Sequence, residues 1–187
     1  MVPTLCRTLG VKGHRPTVGT WDCKHLLYVF ASVNVVSSAL HTDTVESRTG
    51  LYRHTGESKT RRLQRAFAAH LRRLGRRYPK DKNPRVVILI DNAPWHAGEP
   101  VRQALAEYPQ LELKRLPSYS PQLNVIERFW KRLRRRATHN RLFDTLTDLK
   151  RSIRASLCYF QTVRQRIRTL IANCYPRPVN QTSSAGT

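Results

Sequence analysis

Hydrophobic positions divide the chain into stretches of different period. Leu26–Val36 (LLYVFASVNVV) is dense in apolar, β-branched and aromatic residues, which predicts a strand. Ser37–Glu46 alternates at Ala39, His41 and Val45, which predicts an antiparallel return with a turn near Ser37. A helix follows, capped by Ser58 or Thr60, with Leu63, Phe67, Leu71, Leu74 and Tyr78 at helical spacing. Val86–Ile90 (VVILI) is continuously apolar, so it is expected to be a central, parallel-paired strand buried on both faces. Glu99–Tyr108 predicts a short helix and Leu111–Leu116 another strand. Asn124–Thr138 is helical, and Leu142–Asn173 is one or two helices with apolar residues at 142, 146, 149, 153, 157, 160, 163, 167 and 170. Residues 1–20, 47–58 and Pro117–Pro121 read as loop, Pro79–Pro84 as a helix breaker, and Pro176–Thr187 as a disordered tail.

This order gives an α/β architecture, an antiparallel pair feeding a parallel core. No upstream parallel neighbour for Val86–Ile90 is legible. At 187 residues one domain is the default, and 40% hydrophobic residues suffice for a core. Charge changes the picture. Lys and Arg number 34 against 12 Asp and Glu, a formal +22 with a pI near 11.1. Such a field attracts polyanions, and nucleic acid is favoured over anionic membranes or ribosomal RNA. No apolar run approaches the roughly 20 residues of a membrane span, and the N-terminus lacks a signal-peptide layout. The expected location is the cytoplasm, in association with nucleic acid. Cys6, Cys23, Cys158 and Cys174 lack metal-site spacing and read as reduced, mostly buried thiols.

Two acids stand out against this basic background. Asp91 closes the apolar run, and ligand sites of open α/β sheets lie beyond the carboxyl ends of strands. Its ordinary alternative is an Asx turn or cap made with Asn92, but Pro94 and His96 add a rigid turn and a titratable ring at the same edge. Glu127 shares a helix face with Asn124 and Lys131. Its ordinary alternatives are a capping box with Asn124 or an ion pair with Lys131. Thirty-five residues separate the two acids, room for a helix, a strand and a loop, so both carboxylates can reach one sheet edge. Magnesium seeks such oxygen ligands, and two ions together stabilise an in-line phosphoryl displacement. Two carboxylates are a bare minimum, so a third is expected. Asp22 and Asp43 close no central strand and are read as ordinary surface or hairpin acids. Arg61, Arg62, Arg65, Arg72, Arg73, Arg76 and Arg77 form one basic cluster. Lys131, Arg132, Arg134, Arg135 and Arg136 form a second, and both are candidates for phosphate contacts. Trp95, Tyr119 and Trp130 could stack on unpaired bases, although core packing is their more common role.

Asp91–His96 (DNAPWH), Leu116–Glu127 (LPSYSPQLNVIE) with the following Trp130 and arginines, the run Arg7–Pro16 and the strand around Tyr28–Asn34 together resemble the catalytic domain of bacterial insertion-sequence transposases of the mariner superfamily. The resemblance covers roughly residues 1–145. It implies a ribonuclease-H-like mixed sheet flanked by helices, a D-D-E triad with two Mg2+ or Mn2+ ions, and excision and strand transfer of DNA ends. Asp91 would be the second aspartate and Glu127 the glutamate, both metal ligands, with Asn92, His96 and Asn124 as neighbours. Val125 stands where the family usually has proline. The family's first aspartate ends an opening strand upstream of the segment matching residues 7–16. The expectation is therefore a chain lacking that central strand, with residues 146–175 as a C-terminal helical segment, and inactive alone. The alternative is a non-catalytic DNA-binding remnant or an inhibitor of full-length transposase. Self-association, or pairing with the full-length protein, follows from an exposed apolar strand edge.

Overall fold

The computed structural model describes Lys12 and residues 26–47, 57–118 and 123–172. The expected opening loop, the C-terminal tail, Asp22, Tyr119, Cys6, Cys23 and Cys174 lie outside the described residues. The first strand, β1 (Leu26–Val33), pairs antiparallel with β2 (Leu40–Ser47), Leu26 opposite Ser47 and Val33 opposite Leu40. β1 ends three residues earlier than its apolar run. The Asn34 side-chain oxygen accepts the N–H groups of Val36 and Ser37 at 2.9 and 2.8 Å and turns the chain. Ser38 completes the turn with a left-handed φ of 57°.

Helix α1 (Lys59–Arg77) starts at Ser58, whose Oγ accepts the Arg61 N–H at 3.2 Å. Its buried face is Leu63, Phe67, Leu71 and Leu74, as the spacing predicts, joined by Ala68, His70 and Gly75. β3 (Val86–Ile90) follows, then a 3-10 turn at Pro94–His96, α2 (Glu99–Glu107) and β4 (Leu111–Arg115). β4 lies parallel to β3, Val86 opposite Leu111. Three helices complete the order: α3 (Val125–Ala137), α4 (Leu146–Thr162) and α5 (Arg164–Ile171). Thr145 caps α4, and Val163 marks the break before α5, so Leu142 and Val163 drop out of the expected apolar stripe and are exposed.

Among the described residues the four strands form two separate pairs, β1–β2 and β3–β4. β1 separates two cores. Tyr28 and Phe30 turn towards α1 and share a cluster with Leu63, Phe67, Ile90, Val101 and Leu111. Leu27, Val29, Ala31 and Val33 turn to the opposite face, against Phe129 and Leu133 of α3, Ile153 and Phe160 of α4 and Ile167 of α5. The alternation of a strand thus places helices on both faces.

Two expectations are corrected. Val86–Ile90 is packed on one face only. Val86, Ile88 and Ile90 lie against the α1 core, while Val87 and Leu89 are 46% and 47% exposed because no described element covers them. Cys158, expected among mostly buried thiols, is exposed on α4, outside the helix's buried set that includes Leu157 and Phe160. Among the described residues no helix is long and apolar enough to cross a membrane.

Gly75 shows how tightly α1 meets α2. A Cβ there would overlap the Tyr108 ring near its attachment to the backbone, where the ring cannot easily move. Gly75→Ala is expected to lose about 1–3 kcal/mol to overpacking, outweighing the gain of about 1 kcal/mol in helix propensity. Urea unfolding of both proteins measures this.

Candidate functional site

β3 delivers Asp91 to the end of the sheet, and β4 returns the chain to the same place. The Leu116 N–H donates to the Ile90 carbonyl at 2.8 Å. Asp91 Oδ1 accepts the Ala93 N–H at 3.1 Å, so the Asx turn expected as its ordinary role is present. The same oxygen lies 2.9 Å from His96 Nδ1. The 3-10 turn brings His96 back for this contact and packs its ring against Phe67, centroids 4.5 Å apart and planes tilted by 47°. The Asp91 side chain is 54% exposed and that of His96 only 13%, so a partly buried ring orients an open carboxylate. Asn92, expected beside the active site, directly follows Asp91 and bonds the Leu116 carbonyl and Ser118 Oγ, at 3.2 and 3.4 Å, which fastens the two loops together.

Glu127 sits in the first turn of α3, where the helix dipole favours an acid. Neither ordinary alternative is formed. Asn124 occupies the cap position without a side-chain capping bond, and Glu127 makes no ion pair with Lys131. Of Val125, Ile126, Phe129 and Leu133, whose spacing turns them from the Glu127 face, Phe129 and Leu133 are fully buried and fix the helix orientation, while Val125 and Ile126 are half-buried. Asp91, His96, Asn124 and Glu127 all line one groove of about 620 Å³ between β1 and β3. Trp95 and Trp130 line it too while packing on the two cores, in keeping with their more common role.

A polar network under the groove was missed by sequence reasoning. Ser32 Oγ lies 2.7 Å from His70 Nε2, and His70 Nδ1 lies 2.6 Å from Asp43 Oδ2. Arg73 pairs with the other Asp43 oxygen. Asp43 is therefore not an ordinary surface acid but a buried one, because α1 lays His70 and Arg73 over β2. The available signal was His70 itself, which falls on the apolar stripe three residues after Phe67. Next to it, His41 Nε2 lies 2.9 Å from the Tyr78 hydroxyl. Burial, then the neighbouring Arg77 and His70, hold the His41 pKa below its ordinary value, with Asp43 opposing.

The two basic clusters differ in how much of their charge is already paired. On α1, Arg65 and Arg61 reach Glu57 at 2.5 and 4.0 Å. Arg72 grips Glu107 through two bonds of 2.7 and 2.6 Å, a contact that holds the Glu107 carboxyl below its usual pKa. Arg73 is held by Asp43. Arg62 is half-buried, and Arg76 and Arg77 are exposed without an ion pair among the described residues. On α3, Lys131, Arg132, Arg134 and Arg135 are exposed and make no ion pair among the described residues, while Arg136 lies over the Tyr159 ring at 3.8 Å. The α3 cluster begins one turn beyond Glu127.

Two open carboxylates at one groove, beside unneutralised cations, suit hard divalent ions and a phosphate backbone. Among the described residues no group of three His, Cys, Asp or Glu side chains is placed to hold a metal.

Residues 44–150, more than half of the chain, match the family model described as DDE superfamily endonuclease. The uncharacterized 39 kDa protein of insertion element IS630 from Shigella sonnei is 29% identical over 99 residues, 53% of this chain and 27% of that protein. The chain thus spans about a quarter of that relative's length. The crystal structure of the Mos1 mariner paired-end complex with Mn aligns over 95% of this chain and 53% of the other, with a TM-score of 0.53 and 18% identity. The Mos1 paired-end complex with the left transposon end covers 90% of this chain and 51% of the other, with a TM-score of 0.48 and 17% identity. The fold is ribonuclease-H-like, as the motifs implied.

The depressed His41 pKa predicts a pH dependence. The unfolded chain takes up a proton near pH 6.5 that the folded protein resists, so stability falls as pH drops through about 6.5. The urea midpoint of His41→Gln is expected to fall less steeply between about pH 7.5 and 5.5 than that of the unaltered chain. Parallel profiles would remove His41 as the cause.

Proposed function

The chain belongs to the DDE superfamily endonuclease family, and from that premise we propose that it is the catalytic-domain portion of an insertion-sequence transposase, acting on duplex DNA. The observation that carries this is the shared groove. Asp91 and the unengaged Glu127 line it together, next to four exposed α3 cations that no described acid neutralises. The likeness to the IS630 protein supports the same reading.

Asp91 and Glu127 would hold a divalent ion, Mg2+ or Mn2+, two ions in the intact site. Their oxygen donors, open to one groove, fit such ions. Bound there, the metal supplies charge neutralisation at the scissile phosphate. The chain's own residues do the rest. The Ala93 N–H and His96 hold one Asp91 oxygen and leave the other free to the groove. Asn124 starts α3 at the groove wall and so sets the position of Glu127. Lys131, Arg132, Arg134 and Arg135 grip the DNA backbone, and Arg76 and Arg77 extend the basic surface. Cleavage and transfer of a DNA strand would follow in the intact enzyme. The described residues bring two carboxylates to the groove, fewer than a two-ion site calls for, so the isolated chain is expected to show no strand transfer with Mg2+ or Mn2+. Joined products from the purified chain would overturn that part.

Two measurements separate metal from DNA. Asp91→Ala and Glu127→Ala are each expected to weaken Mn2+ binding at least about tenfold by calorimetry, the low end for loss of a metal-site group, with DNA affinity kept. Changing Lys131, Arg134 and Arg135 together to Ala is expected to lower the slope of log affinity against log salt by roughly 2–3, about 0.9 per lost phosphate contact. Metal binding unchanged in both acid variants would favour a non-catalytic DNA-binding remnant, which the α3 cations alone would serve.

A further inference from the structure

The outer edge of β2 meets α4 along one stripe of the helix. Lys150 pairs with Glu46 at one end. At the other end Gln161 Nε2 donates to the Leu40 carbonyl at 3.4 Å and to Thr42 Oγ1 at 3.1 Å. The strand and the helix therefore run antiparallel. The rise of α4 from Lys150 to Gln161, about 16 Å, matches about five residues of strand. Arg154 and Cys158 lie between those anchors at helical spacing, so they stand opposite Thr44 and Thr42. A pocket of about 270 Å³ opens there, and its walls include Thr42, Asp43 and Thr44 of β2, Arg73 of α1 and Arg154 and Cys158 of α4. It shares no lining residue with the groove that holds Asp91 and Glu127.

Three consecutive strand residues line this pocket, so it opens on the edge of β2 and not on one face. Asn34 donates to the Ala39 carbonyl, which places the bonded pairs of the β1–β2 ladder on the odd residues of β2. The main-chain groups of Thr42 and Thr44 therefore point away from β1, as the Leu40 carbonyl does in reaching Gln161. The Asp43 side chain turns under α1, where one oxygen meets His70 and the other Arg73. A buried acid thus holds Arg73 in place. A guanidinium has more donors than that single Asp43 oxygen can take, so Arg73 keeps some for the pocket. Arg154 is exposed and makes no ion pair among the described residues. Thr42 Oγ1 accepts from Gln161, which leaves its O–H free to donate. The pocket therefore sets two guanidiniums against one carboxylate whose oxygens are both engaged, while the Lys150–Glu46 pair cancels itself nearby.

We propose that this pocket binds a phosphate group, held between Arg73 and Arg154 against the edge of β2. Donors reach it from three directions, α1, α4 and the strand. A planar carboxylate has two oxygens for the two forks and none for the strand, whereas a phosphate reaches both arginines and a Thr42 or Thr44 donor together. The edge alternates N–H and C=O groups, so the side chains supply most of the contacts. The phosphate is either a free ion or monoester, or a diester of a nucleic-acid backbone, since both offer the same oxygens. The site stands without the metal reading, because none of its residues belongs to the acid groove.

The test uses the full chain without metal at constant NaCl, with inorganic phosphate in one arm and a DNA duplex in the other. Arg154→Ala is expected to weaken binding at least about tenfold in the arm whose ligand uses the site, as for loss of a charge-assisted pair. Arg154 is exposed and anchors no other side chain, so the variant is expected to fold. Arg166→Ala removes the same charge from an exposed position on α5 and is expected to change that binding little, because salt screens a distant charge. In the phosphate arm, calorimetry is expected to read one saturable site that sulfate displaces and acetate does not. A loss with phosphate alone assigns the free ion or monoester, and a loss with the duplex assigns the backbone. Cys158 reports on the pocket of the unaltered chain. Its alkylation by neutral iodoacetamide, followed on its own peptide by mass spectrometry, is expected to slow severalfold at saturation with the same ligand. Four results would each overturn the proposal: full binding by Arg154→Ala in both arms, an equal loss from Arg166→Ala, displacement of phosphate by acetate, or unchanged Cys158 alkylation at saturation.

Discussion

The apolar stripe of α1 holds the two halves of the sheet in one body. Leu63, Phe67 and Leu71 meet Phe30 from one strand pair and Ile90 and Leu111 from the other. Each such side chain contributes about 1.5–3 kcal/mol when fully buried. No ladder joins β1 to β3 among the described residues, so packing on this helix sets the groove between them. The position of Asp91 inherits that constraint directly. His96 packs against Phe67 and contacts Asp91, so the acid at the strand end is aimed by a ring resting on α1.

The surface electrostatics follow from scarcity of acid. With 12 acidic residues among 34 basic ones, where each acid goes decides which cations stay available. Much of the α1 cluster is paired, with Glu57, Asp43 and Glu107 taking Arg65, Arg73 and Arg72. The α3 cluster keeps its charge, because the nearest acid on its own helix, Glu127, faces the groove instead of Lys131. Basic residues of equal rank in the sequence thus divide into a paired set and a set free for phosphates. Asp43 belongs to the paired set for a further reason. It sits under α1 with His70, where a buried carboxylate without partners would be costly.

Much of the fold was legible because local pattern and global packing agree. Leu63, Phe67, Leu71 and Leu74 predicted α1 and its buried face, and Ser58 its start. Pro79–Pro84 and the VVILI run marked the next strand, and Leu111–Leu116 another, which the structure pairs parallel with it. The misreadings come from contacts that pattern does not encode. The apolar run through Val36 hid the Asn34 turn, a single side chain capturing two amides. The continuous VVILI run hid an open face, since burial depends on whether another element arrives to cover it. The bond from Asn92, beside Asp91, to the Leu116 carbonyl is another contact that local pattern does not encode.

The chain order alone determined the elements, the placing of Asp91 at a strand end and of Glu127 in the first turn of a basic helix, and the attraction to a polyanion. These follow from local period, capping chemistry and summed charge, none of which needs a distant contact. Only the tertiary structure decided that both acids line one groove, that Glu127 makes no ion pair among the described residues while Asp91 is steadied by His96, and that Asp43 is buried with His70. It also decided which arginines remain unpaired. Those outcomes depend on side chains and main-chain groups far apart in sequence meeting through α1 and α3, and a pattern of neighbours along a chain carries no record of such meetings.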